Sequence, residues 1–105
     1  MIDIEKLQEY YEQDQVIISL HAQERLRQRG IKARDVRNCI MTGEIIEQYT
    51  DDFPFPSCLI FGYTVNNKII HVVASDEGTM SRIITAYYPD TLKFEDDLRT
   101  RRERK

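Results

Sequence analysis

One histidine and three arginines crowd the stretch SLHAQERLRQRG at residues 19–30. On a helix, His21, Arg25, Gln28 and Arg29 fall at i, i+4, i+7 and i+8 and so share a face, while Ala22 and Leu26 turn toward a core. Such a face is commonly a solvated one, with Arg25 and Arg29 paired to acids such as Glu24. The sharper reading is an anion clamp. The planar fork of arginine makes two hydrogen bonds at once to a phosphate, and an imidazole that titrates near neutrality moves a proton.

The second of the two histidines, His71, stands in IIHVVAS, inside an apolar strand pattern. A histidine there is commonly a core residue satisfied by one hydrogen bond. Strand pairing offers it two sets of neighbours. A regular turn that pairs Ser75 with Arg82 sets His71 on one face with Arg82, whereas a one-residue bulge sets it with Thr85 and Tyr87. The aromatics of FPFPS at 53–57 either pack over a sheet edge or stack on bases. The tail RTRRERK reads as a solvated end or as a sequence-blind phosphate contact.

These residues need elements to hold them. Residues 3–14 read as a helix, with Ile4, Leu7, Tyr10 and Tyr11 at helical spacing. QVIIS at 15–19 is a brief strand or an extended lead-in. Ser19 is a candidate N-cap, with His21 as an alternative start, and Gly30 is the stop. A second helix over Ala33–Thr42 carries the stripe Ala33, Val36, Cys39 and Ile40 and ends at Gly43. The period then changes to two. EIIEQY (44–49), SCLIFGYTV (57–65), KIIHVVAS (68–75) and SRIITAYY (81–88) are strands, with Asn66-Asn67 as a two-residue turn and DEGTM as a second turn. The expected architecture is α+β: N-terminal helices followed by a four-stranded antiparallel sheet, helices on one face, the other face open to a ligand.

Length bounds the chain to a single domain, with residues 16–90 as its core and 91–105 as a basic tail. The acidic amphipathic start lacks the features of a signal peptide, and no run is long enough to span a membrane, which points to the cytoplasm. Cys39 and Cys58 lie in apolar stretches and read as small buried hydrophobes; no zinc spacing and no glycine-rich phosphate loop occurs, so no cofactor is expected. The net charge of −3 hides a mosaic. Residues 21–43 carry six basic groups against two acids and residues 81–105 seven against five, while the remaining segments are acidic.

The ordered motifs SLHAQERLRQRGI, GEIIEQY, PSCLIFG, IIHVVA and IITAYYPD resemble the family catalogued as domain of unknown function 4258, from about Val16 to about Arg102. The resemblance implies kinship with the RelE-like, barnase-like and colicin-like ribonuclease toxins, whose helices precede a four-stranded antiparallel sheet. It also implies RNA as substrate and a small zinc-finger antitoxin as protein partner. Carried over, the motif positions are His21, Arg25, Arg29, Gly30, His71, Thr85 and Tyr87. The implied chemistry is metal-independent: a base frees the ribose 2′-oxygen to attack the adjacent phosphate, an acid protonates the leaving 5′-oxygen, and cations stabilise the charge gathering on phosphorus. In that scheme His21 and His71 are base and acid, Arg25, Arg29 and Arg82 hold phosphate, and Thr85 and Tyr87 orient the substrate. The competing expectation is a non-catalytic module that binds protein or nucleic acid with the same fold.

Overall fold

A computed structural model of the chain describes residues 1–103. Three helices, α1 (Ile4–Glu12), α2 (Leu20–Gln28) and α3 (Ala33–Thr42), accompany five strands: β1 (Val16–Ile18), β2 (Glu44–Tyr49), β3 (Ser57–Tyr63), β4 (Ile69–Asp76) and β5 (Ser81–Tyr87). The fold is mixed α+β. The expected sheet of four antiparallel strands gains a fifth: β1 joins its edge, parallel to β5, in the order β1-β5-β4-β3-β2. The β-branched run Val16-Ile17-Ile18 thus becomes a strand in its own right, its pairing made possible by the long route back through the meander.

The helix boundaries follow local chemistry. Ser19 Oγ accepts from the Ala22 N–H at 3.1 Å, which makes Ser19 the N-cap of α2. Gly30, at φ +69°, lets the Gly30 and Ile31 amides turn back to Arg27 O and Leu26 O. Asp35, in the first turn of α3, accepts from the Lys32 amide at 3.0 Å and the Val65 amide at 3.2 Å, so one buried carboxylate caps the helix and ties it to the β3–β4 loop. That loop differs from the two-residue turn expected. Thr64 N donates to Lys68 O and Asn67 N to Thr64 O, and Asn67 alone takes a positive φ, of 68°. Three residues, Val65 to Asn67, therefore make the connection.

One face of the sheet packs on the helices. Cys58, Ile60, Ile70, Val72, Ala74, Ile83 and Ala86 meet Leu7, Tyr10, Leu26, Val36, Cys39 and Ile40 in a single apolar cluster. At Gly62 a Cβ would stand 2.4 Å from the Cys39 carbonyl oxygen; only glycine there lets α3 settle this near β3. Cys39 and Cys58 are free and buried, and burial pushes each thiol up to about 12.

The opposite face is not open. Residues 91–103 fold back across it as an irregular hairpin closed by the Phe94–Arg101 bridge; the last two residues of the basic tail, 104–105, lie outside the described residues. Its anchor is Phe94, 1 % exposed, which packs edge-on against His71 at 4.6 Å between ring centroids. Among the described residues no helix is long and apolar enough to cross a membrane.

Candidate functional site

Two one-residue bulges decide which side chains stand under the tail. In the β4–β5 pair, Ser75 lies opposite Arg82 and Ala74 opposite Ile83, but Val73 lies opposite Thr85 and His71 opposite Tyr87. Both pairings anticipated for His71 are thus partly present: the turn end follows the regular register, and the extra residue Ile84 moves Thr85 and Tyr87 onto His71's face. On the other side of the sheet, the shift between Ile45 and Glu47 brings Glu47 opposite Leu59 and onto the same face.

His71 is completely buried there. Its Nε2 lies 2.7 Å from the Leu98 carbonyl oxygen, which only accepts, so Nε2 carries the proton. In the neutral ring Nδ1 is then bare and accepts from the Tyr87 hydroxyl at 3.3 Å. Desolvation lowers the His71 pKa and outweighs both the Leu98 hydrogen bond and the nearby Glu47 carboxylate, so the neutral form prevails at physiological pH. Desolvation likewise raises the Tyr87 pKa. Burial would also raise that of Glu47, but hydrogen bonds from Arg101 and Tyr49 hold it below the usual carboxylate value.

Tyr87 leads from this buried pair to solvent. It lines a cleft of about 360 Å³ together with Arg29, Asp90, Lys93, Phe94 and Arg101. Arg29 reaches the cleft from the end of α2. Because β1 pairs with β5 only over Ser81–Ile83, the edge of β5 beyond is left to α2, and Arg29 Nη1 donates to Ala86 O at 2.8 Å and to Thr85 Oγ1 at 3.0 Å. Arg101 donates twice to Glu47, at 3.0 and 3.1 Å, and lies over the Phe94 ring at 4.8 Å.

The structure therefore gathers Arg29, His71, Thr85 and Tyr87, four of the seven residues anticipated. His21 and Arg25 project into solvent from α2 and are not among the cleft's lining residues. Arg82 is four β4 positions from His71 by register, roughly 13 Å along the strand. It pairs with Glu77 at 2.8 Å and lines a different cleft, of about 340 Å³, beside Phe53, Pro54, Phe55 and Ile84. The FPFPS loop thus belongs with Arg82. Lys93, Phe94, Leu98 and Arg101 were missed. The available signal was a lone phenylalanine within a charged tail, with acids on β2 to receive its arginines. Among the described residues no cluster of three or more His, Cys, Asp and Glu is arranged to hold a metal ion.

Chemically, the cleft offers three cations against one acid, with a phenol whose proton can move onto a buried imidazole. No curated protein and no solved structure gives a match to this chain. The family described as Domain of unknown function (DUF4258) matches residues 18–88, about two thirds of the chain and every strand named above except the first two residues of β1. The chain belongs to the DUF4258 family.

Proposed function

We propose that the cleft takes a phosphodiester of RNA and that the chain cleaves it as an endoribonuclease of the RelE/barnase–colicin-like class, the toxin of a toxin–antitoxin pair. The observation that carries this reading is Tyr87, whose hydroxyl is held on the buried His71 and which lines a cation-rich cleft. Helices preceding an antiparallel meander support it. Arg29, Lys93 and Arg101 hold the phosphate and stabilise the charge that grows on its oxygens. Thr85 fixes the Arg29 guanidinium by accepting one of its N–H groups. Tyr87 takes the proton of the ribose 2′-hydroxyl as its own proton passes to His71 Nδ1, and the freed oxygen attacks phosphorus. The 5′-oxygen leaves with a proton from the Lys93 ammonium, giving a 2′,3′-cyclic phosphate and a 5′-hydroxyl. His71 acts through Tyr87, as a positioning residue and proton store. His21 and Arg25 extend the basic face of α2 along which the strand leaves the cleft. A small zinc-finger-type antitoxin is the partner this class implies.

The test is incubation of purified protein with RNA in EDTA, read by 2′,3′-cyclic phosphate ends. Tyr87→Phe, with folding verified by circular dichroism, lowers the rate by roughly 100-fold or more. Equal cutting by wild type and Tyr87→Phe overturns the assignment. A second reading, a non-catalytic RNA-binding module, draws support from the complete burial of His71 and from the engagement of Arg101 by Glu47. RNA binding without cyclic ends, in both proteins, decides for it.

A further inference from the structure

Residues 91–102 lie on the sheet through three kinds of contact. Phe94 is buried against His71. Leu98, a non-glycine residue at φ +57°, turns its carbonyl to His71 Nε2. Two arginines reach β2: Arg99 to Glu44, and Arg101 to both oxygens of Glu47. Each arginine also covers a ring, Arg99 over Phe61 at 4.0 Å and Arg101 over Phe94 at 4.8 Å.

These contacts have unequal strength. The left-handed backbone at Leu98 is strained for a residue with a Cβ, and the surroundings must hold it. Both ion pairs are partly exposed, with the arginines 43 % and 48 % accessible, so solvent screens them and they exchange partners readily. Phosphate is a partner to which guanidinium binds in the same two-pronged way as to carboxylate. Beneath the segment lie Phe61, His71 and Tyr87, an aromatic strip on rigid strands, and Phe61 and His71 are closed to solvent.

We propose that residues 91–102 form a lid over this strip, latched by Arg99–Glu44 and Arg101–Glu47, and that a single-stranded RNA opens it by drawing both arginines from carboxylate to phosphate. Arg99 then becomes a phosphate contact although it lies outside the cleft, and Phe61 becomes a stacking surface for a base. Lid opening also brings His71 to solvent. The identity of the opener rests on the reading of the cleft given above; the latch does not.

The experiment is site-resolved modification by diethyl pyrocarbonate, read by mass spectrometry on the full chain. The two histidines provide their own control, since His21 is exposed and His71 fully buried. Glu47→Gln, without RNA, raises the His71 rate roughly fivefold, the change expected for weakening a half-exposed pair, while the His21 rate stays fixed. An uncleavable 2′-O-methyl oligonucleotide raises the His71 rate in wild type, and hydrogen exchange at the Leu98–Arg102 amides rises with it. An unchanged His71 rate in Glu47→Gln and in Glu44→Gln overturns the latch. Oligonucleotide binding that leaves His71 protected overturns the lid's opening by RNA and leaves the cleft's assignment standing. Absence of oligonucleotide binding, with His71 exposed in Glu47→Gln, overturns the assignment of the cleft and RNA as opener while the latch survives.

Discussion

The two faces of one sheet carry opposite chemistry. On the helix side β3, β4 and β5 present Cys58, Ile60, Ile70, Val72, Ala74, Ile83 and Ala86, all apolar and buried against three helices. On the other side the same strands present Phe61, His71, Thr85 and Tyr87, covered by one irregular segment with a single buried anchor. The alternation of side chains along a strand lets both coexist at every second position. Apolar burial is concentrated on the first face, which frees the second to hold a buried imidazole, a cation-lined cleft and a strained backbone residue.

The strongest way to break that contrast is to damage the helix face. Ile60→Ala removes a fully buried side chain and is expected to cost about 2–5 kcal/mol in urea unfolding. Gly62→Ala drives a methyl into the Cys39 backbone and is expected to cost about 1–3 kcal/mol, more if α3 cannot retreat. If either left the unfolding midpoint unchanged, the helix face would not be the source of stability. Phe94→Ala sharpens the comparison. Although Phe94 is as buried as the core residues, its segment can detach alone, so the global unfolding midpoint falls less than for Ile60→Ala while the Leu98–Arg102 amides lose their exchange protection. An equal fall in midpoint would show that the segment is part of the cooperative core.

Acid provides a smaller probe. The folded-state pKa of His71 is depressed, chiefly by desolvation. Between that value and the ordinary 6.5 the unfolded chain binds a proton the folded chain refuses, so stability is full above pH 6.5 and declines as pH falls below it. Urea midpoints of wild type and His71→Gln at pH 5 to 8 check this; the decline between pH 6.5 and 5 is expected to shrink in the variant. The smallest effect belongs to Glu24→Gln. Its partner Arg27 is an exposed neighbour on α2, and the change is expected to stay within about 0.5 kcal/mol.

Local signals in the sequence reached far on the helix side. Ser19, Gly30 and Gly43 bound the helices as their chemistry requires, and the period-two runs lie on β2 to β5 within two residues at each end. The other face was less legible, because its features depend on distant partners. The charged composition of the tail reads as solvated until Glu44 and Glu47 are seen to receive its arginines. His71 and Tyr87 come together only through the bulge, which no periodicity announces. His21 and Arg25 share a helix face with Arg29, as the spacing implied, yet a helix places only its end at the β5 edge, so Arg29 alone arrives.

Ile84 has a consequence of its own. Were the intact β5 to pair without a bulge there, the hairpin turn would be untouched, yet Ala86 would stand opposite the imidazole and Tyr87 would be driven among the aliphatic side chains. Strand parity, rather than the identity of any single residue, therefore governs which group the cleft receives. A related sequence that lacks one residue between Arg82 and Thr85 keeps Tyr87 opposite His71 by losing the bulge, whereas one of equal length that pairs without the bulge presents a different surface chemistry.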